Sequence, residues 1–498
     1  MSGDNHNDWK QLYRKASIIS DFATFPLLRH NVPGESDRLL TIMSTGTILN
    51  NPNVGCPSAR YAWQVKFVSI VYNALLACSA MLVTIPDASA QLPGQLLPAW
   101  SKGTLDIHHI NTGHGVAAFL ILPDGTTLLI DAGELDPTDN RTLGPRNSKM
   151  HPNDSRLAYQ WIADYIREFH PNGEKGVIDY ALISHFHDDH FGGIHTKSPM
   201  SISGNYRLTG ITGVGELIPI RTLIDRGYTN PVDMKSDSVK NAMLSHKAGG
   251  AEAYLTMQNY WAFSEAQMKK GMTVETLEAG KKDQIQLKHQ RGAYPQFHIV
   301  NVKSNGRIWT GKGTDTFEYF PHKYIAGENP LSLAIRIDYG AFRYFTGGDN
   351  PGIVDLGASK YNDTETPMAP SVGAVDVAVM NHHGNRDSQN EVFVKTLQPR
   401  VWIEQVWSSD HPGHDVLRRV TSKYLYPGDR DLFATNMLEA NKNVIGPLID
   451  ESYKSTDGHI VVRVDPDGQH YRVIILNDEN ERREVKAVFW PYSVKGKL

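Results

Sequence analysis

Six consecutive residues constrain this chain more than any other feature: His185-Phe186-His187-Asp188-Asp189-His190, preceded by Ser184 and followed by Phe191-Gly192-Gly193. The stretch before them, residues 177–183, is short and mainly apolar and reads as a buried strand. The cluster is therefore placed on the loop that leaves a strand end. Imidazoles and a carboxylate crowded at such a place are costly unless an opposite charge compensates them. A pair of divalent metal ions would do that.

Other strand ends carry residues of the same type. Residues 342–345 read as a strand running into Thr346-Gly347-Gly348-Asp349, and residues 375–380 as one running into Asn381-His382-His383-Gly384. Near the front, residues 116–122 and 126–130 flank Pro123-Asp124-Gly125, a hairpin turn pattern, and the second arm ends at Asp131-Ala132-Gly133. Residues 105–111 are a further strand candidate. Leu157, Trp161, Ile162, Tyr165 and Phe169 recur at helical spacing. Strands are also expected at 220–224, 296–302, 307–310, 333–337 and 401–404, and a terminal hairpin joins 460–464 to 471–476. Residues 239–272 read as helix interrupted at Gly249-Gly250. The order predicts an α/β protein with helices on the outer faces of its sheets.

The six-residue cluster resembles the His-x-His-x-Asp-His signature of the metallo-β-lactamase fold superfamily, matched in full. The resemblance spans roughly residues 104–478. It implies an αββα four-layer sandwich, with a long insertion, at about 195–325, between the first metal motif and the bridging Asp349. Asp131 matches the superfamily's aspartate at the end of an early strand, Asp349 its metal-bridging carboxylate, and His383 or its neighbour His382 its last ligand. The chemistry accounts for these residue types. His185 and His187 can chelate one ion, Asp189 and His190 the other, with Asp349 holding both about 3.5–4 Å apart. A water between the ions then sheds its proton near neutral pH. Two zinc ions are expected, with manganese or iron as alternatives. His383 is the preferred terminal ligand over His382, and Asp131 is expected behind the ligands rather than among them. A third ligand for the first ion is missing from the motifs. His195, His246, His298 and His322 are candidates, each with an ordinary polar or surface role as the alternative.

Several segments resemble one branch more closely: the hydrolase domain of bacterial DNA-uptake (competence) proteins and its stand-alone relatives, including choline-phosphate esterases. They are Asn111-Thr112-Gly113-His114-Gly115, Leu129-Ile130-Asp131-Ala132-Gly133, Asn329-Pro330-Leu331-Ser332-Leu333 before Asp349, His382-His383-Gly384 and His411-Pro412. The branch implies hydrolysis of phosphoesters or phosphodiesters, in small molecules or polymers, and in some members of nucleic acid. The chain departs from the branch where Gly113-His114-Gly115-Val116 replaces the usual Gly-Gln-Gly-Asp, and no multi-span channel accompanies the domain. Asp189 and Asp349 are the expected catalytic carboxylates. His114 is expected at the site mouth, against the alternative of a loop histidine without special role. His411 and His414 either line the cleft or pack at a helix start. Two other readings stay open: hydrolysis of a lactone, lactam or thioester, and a non-catalytic binding protein on the same scaffold.

Two further segments bear on the substrate. Residues 284–314 hold no acidic residue but contain Lys288, Arg291, Lys303, Arg307 and Lys312 with Tyr294, Phe297 and Trp309. They either grip a polyanion or form a hairpin with aromatics in the core and cations in solvent. Residues 254–263, with Tyr260 and Trp261, form either a lid or an inward-packed helix.

The formal charge of −4 gives no global basic field. Residues 67–86 are uncharged and mostly apolar, and Ala88-Ser89-Ala90 follows, so that a secretory signal cleaved before Gln91 is expected. An uncleaved anchor or a buried helix are the alternatives, and only a retained segment would tie the protein to a membrane. Cys56 and Cys78 both precede the proposed cleavage point, which suits a periplasmic or secreted protein without disulfides. The apolar Met81-Leu82-Val83 disfavours a lipoprotein box at Cys78, and translation from Met43 would shorten the leader. The expected organisation is an extension over 1–90, with the signal or anchor at about 64–90, and a hydrolase domain over 91–498.

Overall fold

Strands that are apolar on both faces need a packed layer on each side, and this chain builds two sheets of that kind. The computed structural model describes residues 93–494, except 230–231, 247–248, 322–325 and 355–357. The expected signal or anchor segment and His322 lie outside the described residues. The chain first lays down β1 (Leu105–His109), β2 (Ala117–Ile121), β3 (Thr127–Ala132), β4 (Ile178–Leu182), β5 (Ile220–Asp225) and β6 (Thr273–Thr276). It then forms β7 (Phe297–Ser304), β8 (Arg307–Trp309), β9 (Thr316–Glu318), β10 (Ala334–Tyr339), β11 (Phe342–Thr346), β12 (Val377–Val379), β13 (Val401–Glu404), β14 (Asp431–Ala434) and β15 (Tyr453–Ser455). It returns with β16 (His459–Val464), β17 (His470–Leu476) and β18 (Val485–Ser493). One sheet runs β18-β17-β16-β1-β2-β3-β4-β5-β6, the other β15-β14-β13-β12-β11-β10-β7-β8-β9. Pairing is parallel from β3 to β6 and from β11 to β15.

Strict alternation distributes the side chains among three cores. Ala118 and Leu120 of β2 face the other sheet, where they join Ile335 and Ile337 of β10 and Tyr344 of β11. Phe119 and Ile121 turn outward to the helices α1 (Ala158–Phe169), α2 (Asp188–Phe191), α3 (Gly210–Leu217), α4 (Asp237–Ser245) and α5 (Gly250–Met268), whose buried residues include Ile162, Tyr165, Phe191 and Tyr260. On the far side, Phe345, Ala378 and Trp402 pack against α6 (Glu365–Val372), α7 (Glu391–Leu397) and α8 (His414–Thr421) through Met368, Phe393 and Leu417. The result is the expected αββα four-layer sandwich, two large sheets packed face to face between helical layers.

The expected helix is α1, which buries Tyr159, Trp161, Ile162, Tyr165 and Ile166 on one face. Gln160 caps it by accepting the Leu157 N–H at 2.9 Å. The second expected helix divides into α4 and α5, and α5 begins after Gly249, which adopts φ 77°. Tyr254, Tyr260, Trp261 and Phe263 point into the core, so α5 is an inward-packed helix. The interval 195–325 supplies β5 and β6 to one sheet and β7, β8 and β9 to the other. Within it, Phe297 and Trp309 are buried while Arg291, Arg307 and Lys312 are exposed. Lys303 is buried as well, its Nζ donating to the carbonyls of Pro330 and Ser332 at 2.7 and 2.9 Å. Among the described residues no helix is long and apolar enough to cross a membrane.

Candidate metal centre

Parallel strands deliver their C-terminal ends to one edge of a sheet, and ligand sites in α/β folds collect there. Asp131 ends β3, His185 to His190 follow β4, Asp349 follows β11, and His382 and His383 follow β12. The two sheets bring these loops together into two donor sets. Asp189, His190, Asp349 and His383 are all buried, and their ligand-type atoms lie within 4.8 Å of one another. His185, His187 and Asp349 form the second set on the same criterion, with His187 exposed. Asp349 belongs to both sets. Its Oδ1 lies 3.1 Å from His190 Nε2 and 3.5 Å from His383 Nε2, while its Oδ2 lies 3.5 Å from His185 Nε2.

Partners behind the rings decide which nitrogen faces inward. Asp131 accepts the Ser184 N–H and Oγ–H at 2.7 Å each, and His190 Nδ1–H at 2.8 Å. With its hydroxyl proton committed to Asp131, Ser184 Oγ accepts from His185 Nδ1 at 3.2 Å. His383 Nδ1 donates to the Gln405 carbonyl at 3.0 Å. These acceptors assign the ring proton to Nδ1 in all three histidines and leave each Nε2 lone pair directed inward. His190 Nε2 then meets His383 Nε2 at 3.3 Å, and His185 Nε2 meets His187 Nδ1 at 3.1 Å. His187 Nδ1 can donate to His185 Nε2, but the facing Nε2 atoms of His190 and His383, beside a buried Asp349 Oδ1 without a hydrogen-bond partner, form the arrangement a cation between them relieves. The donor chemistry, imidazole nitrogen and carboxylate oxygen, suits zinc-type ions.

Charge tells the same story. Burial alone would depress His190, but Asp349, Asp189 and Asp131 outweigh it and hold the imidazole well above its ordinary value. Burial likewise opposes protonation of His383, yet Asp349 and Asp189 push it up to about 9. The two carboxylates, Asp189 and Asp349, stay ionised below the usual range, because the surrounding histidines overcome a burial that would raise them. His185 is held well below its ordinary value by burial and by its neighbour His190. Deep in the protein the carboxylates demand positive charge, and a bound metal would displace the protons that otherwise supply it.

The backbone is built to close around this loop. Asp189 O accepts the Val116 N–H at 2.7 Å. A Cβ on Gly133 would stand 1.8 Å from that oxygen, and one on Gly115 2.7 Å from it, so both glycines are required by close approach. His382 and His383 adopt φ 47° and 53°, and Gly384 follows at 71°. Two successive non-glycine residues in the left-handed region cost roughly 1–3 kcal/mol each. The strain is held by Glu365, which accepts from Asn381 Nδ2 and from the N–H groups of Gln389 and Asn390.

Other expected residues stand apart from both donor sets. His382 directs Nδ1 to Asp387 Oδ1 at 2.6 Å, and its Nε2 lies 3.2 Å from the Asn329 side-chain amide. The same Nε2 lies 3.8 Å from Asp349 Oδ2. His195 is paired with Glu134 at 2.8 Å and fully buried, and His298 with Asp338 at 3.0 Å. His246 caps the end of α4. None of these three supplies the missing ligand. His114, expected at the site mouth, is buried and contributes to the lining of a separate cleft of about 1250 Å³, with Lys149, His151 and Asn436. No residue of either donor set lines that cleft. His414 opens α8, accepting from Arg418 Nε at 2.9 Å, whereas His411 stacks on His383 with ring centroids 4.7 Å apart. Sequence reasoning missed Trp407, whose indole Nε1–H donates to Asp189 Oδ2 at 2.9 Å. It also missed Gln405, which acts through its main-chain carbonyl.

No family model matches this chain, and neither does any curated protein. Among solved structures it is similar to a protein provisionally described as a metal-dependent hydrolase, from Parabacteroides distasonis ATCC 8503. Identity is 11% and the TM-score 0.27, over 71% of this chain and 92% of that chain. At those values the likeness carries no functional argument. The αββα fold and the buried His/Asp centre, read from the geometry itself, are what this chain presents.

Proposed function

We propose that this protein is a binuclear metal-dependent hydrolase of phosphoesters or phosphodiesters. The observation that carries the reading is the sharing of Asp349 between two donor sets, the layout by which paired ions act on phosphoryl groups. His185, His187 and Asp349 would hold one divalent ion and Asp189, His190, Asp349 and His383 the other, with zinc first among the candidates. Such a pair supplies Lewis acidity and an acidified water close to neutral pH.

The chain's own residues do the rest. Asp131, Ser184 and Gln405 O hold the imidazoles in the orientation that binding needs. The exposed face of His187 and the half-buried His382 leave one side of the centre open to a substrate. Asp387, 2.6 Å from His382 Nδ1, favours the protonated ring against its burial, independently of Asp349. His382 is thereby suited to donate a proton to a departing oxygen.

Metal analysis of the purified protein, with turnover assays on bis-p-nitrophenyl phosphate, p-nitrophenyl phosphorylcholine, single-stranded DNA and nitrocefin, tests the reading. Two bound equivalents and phosphoester turnover, abolished by chelation and restored by zinc, are expected. Turnover of nitrocefin alone would move the assignment to lactams. Two ions without any turnover would favour a binding protein. A centre that stays empty in excess zinc or manganese sinks the proposal. Export is part of the same reading, supported by the apolar run over 67–86 and the small residues after it. A secreted product beginning at Gln91 is the expected result of N-terminal sequencing, and one beginning at Met1 or Ser2 contradicts it.

A further inference from the structure

We infer that Trp407 is a positioning residue that fixes Asp189 and His383 as one unit and makes the four-donor half of the centre the tighter of the two. The inference rests on the metal-centre reading above and adds to it an unequal pair of sites. Trp407 lies beyond β13, half-buried, with its Nε1–H 2.9 Å from Asp189 Oδ2 and 3.4 Å from His383 Nε2. That same Oδ2 lies 3.0 Å from His383 Nε2 and 3.6 Å from His190 Nε2. The indole thus occupies one lone pair of the oxygen that faces the donor set and turns the other inward.

Trp407 is itself held from two sides. Ser148 donates its N–H to the Trp407 carbonyl oxygen at 2.9 Å, while its Oγ–H goes to Gly113 O at 2.6 Å. His411 meets the indole edge-on, with centroids 5.0 Å apart and planes at 89°. His411 also lies nearly parallel to His383, 4.7 Å away at 20°. A carboxylate so braced loses little rotamer freedom on binding, whereas a free one must be ordered at that moment. In the three-donor half only His185 is backed, by Ser184 Oγ at 3.2 Å. His187 is exposed, and among the described residues no hydrogen-bond acceptor stands behind its ring. Preorganisation and burial therefore favour retention in the half that Trp407 closes.

The test loads the full-length protein with two equivalents of zinc, dialyses it against graded chelator and counts retained zinc by mass spectrometry. Wild type, Trp407→Phe and Trp407→Gln are compared. Phenylalanine keeps a ring and loses the donor; glutamine keeps a donor of similar reach and loses the ring. Wild type is expected to give up one equivalent first and hold the other. The phenylalanine variant should release the held equivalent at about ten- to a hundred-fold weaker chelation, the range typical of lost outer contacts, and glutamine should recover part of the difference. Release of both wild-type equivalents in one step, a wild-type profile in the phenylalanine variant, or equal loss in both variants would each overturn the inference. The first two outcomes leave the metal centre standing. Only a wild-type protein that takes up no zinc removes that reading too, and this inference with it.

Discussion

His190 and His383 face each other Nε2 to Nε2 at 3.3 Å, while their other nitrogens are committed to Asp131 at 2.8 Å and to the Gln405 carbonyl at 3.0 Å. Two like ring nitrogens held at this distance repel, whether both carry lone pairs or both carry protons, and they are held there by residues from loops of two different sheets. The fold therefore stores an electrostatic conflict that a cation resolves. Metal should stabilise the folded protein accordingly. At a free zinc concentration a hundred times the dissociation constant, each site adds about 2.7 kcal/mol. Thermal unfolding with and without chelator measures it, and a melting temperature unmoved by chelation contradicts the centre.

Asp131 is the most heavily used acceptor behind the ligands, receiving Ser184 N–H, Ser184 Oγ–H and His190 Nδ1–H on two oxygens. Asp131→Asn keeps the shape and replaces one acceptor by a donor, which must then face another N–H or O–H in a buried place. We expect zinc affinity to fall about ten- to a hundred-fold and stability by about 1–3 kcal/mol. Calorimetric titration with zinc and urea unfolding give the two numbers. An unchanged zinc affinity would show that His190 needs no orienting partner.

His382 and His383 are adjacent and both bring Nε2 near Asp349, at 3.8 and 3.5 Å, yet their other partners differ. His383 joins the buried donor set, whereas His382 pairs with Asp387 on the open side. His382→Ala should keep both zinc equivalents and lower kcat by about 10²–10⁴ for substrates with poor leaving groups. The loss should be much smaller with p-nitrophenolate, which departs without a proton. Equal losses on both leaving groups would remove His382 from proton transfer.

What was legible in the sequence follows from what each residue needs. The ligands on β4 were legible because imidazoles and carboxylates rarely crowd at a strand end, and Asp349 and His383 because each ends an apolar run. Gly133 and Gly115 are bare at the points where Asp189 O arrives, so the motif spells out a backbone contact. Trp407 was not legible. It lies past β13, in no periodic pattern, and an aromatic there reads as core. Gln405 was beyond reach for a simpler reason: its contribution is a carbonyl oxygen, which every residue has. α6 escaped notice because Pro367 and Pro370 lie within its eight residues. β18 escaped because Pro491 demotes a strand pattern, and it is indeed an edge strand.

Glu404 ends β13 directly behind the His383 loop, fully buried, with one oxygen accepting from Tyr453 OH and the other without a partner. Burial pushes its carboxyl up to about 8, from 4.5 in the open chain, and the Tyr453 contact and the charge of His383 only partly oppose this. A carboxyl whose folded value exceeds its unfolded one binds its proton more tightly in the native state. Its contribution to stability is therefore greatest below about pH 4.5, declines as pH rises from there to about 8, and is flat above. Glu404→Gln retains the volume and cannot ionise. Between pH 5 and pH 9 the wild type should lose roughly 4 kcal/mol more unfolding free energy than the variant. Urea unfolding at the two pH values, on chelated samples so that metal release does not intrude, reads this difference. Parallel pH profiles would mean that Glu404 is already ionised at pH 5, and that a charge next to His383, not a neutral acid, lies beneath the centre.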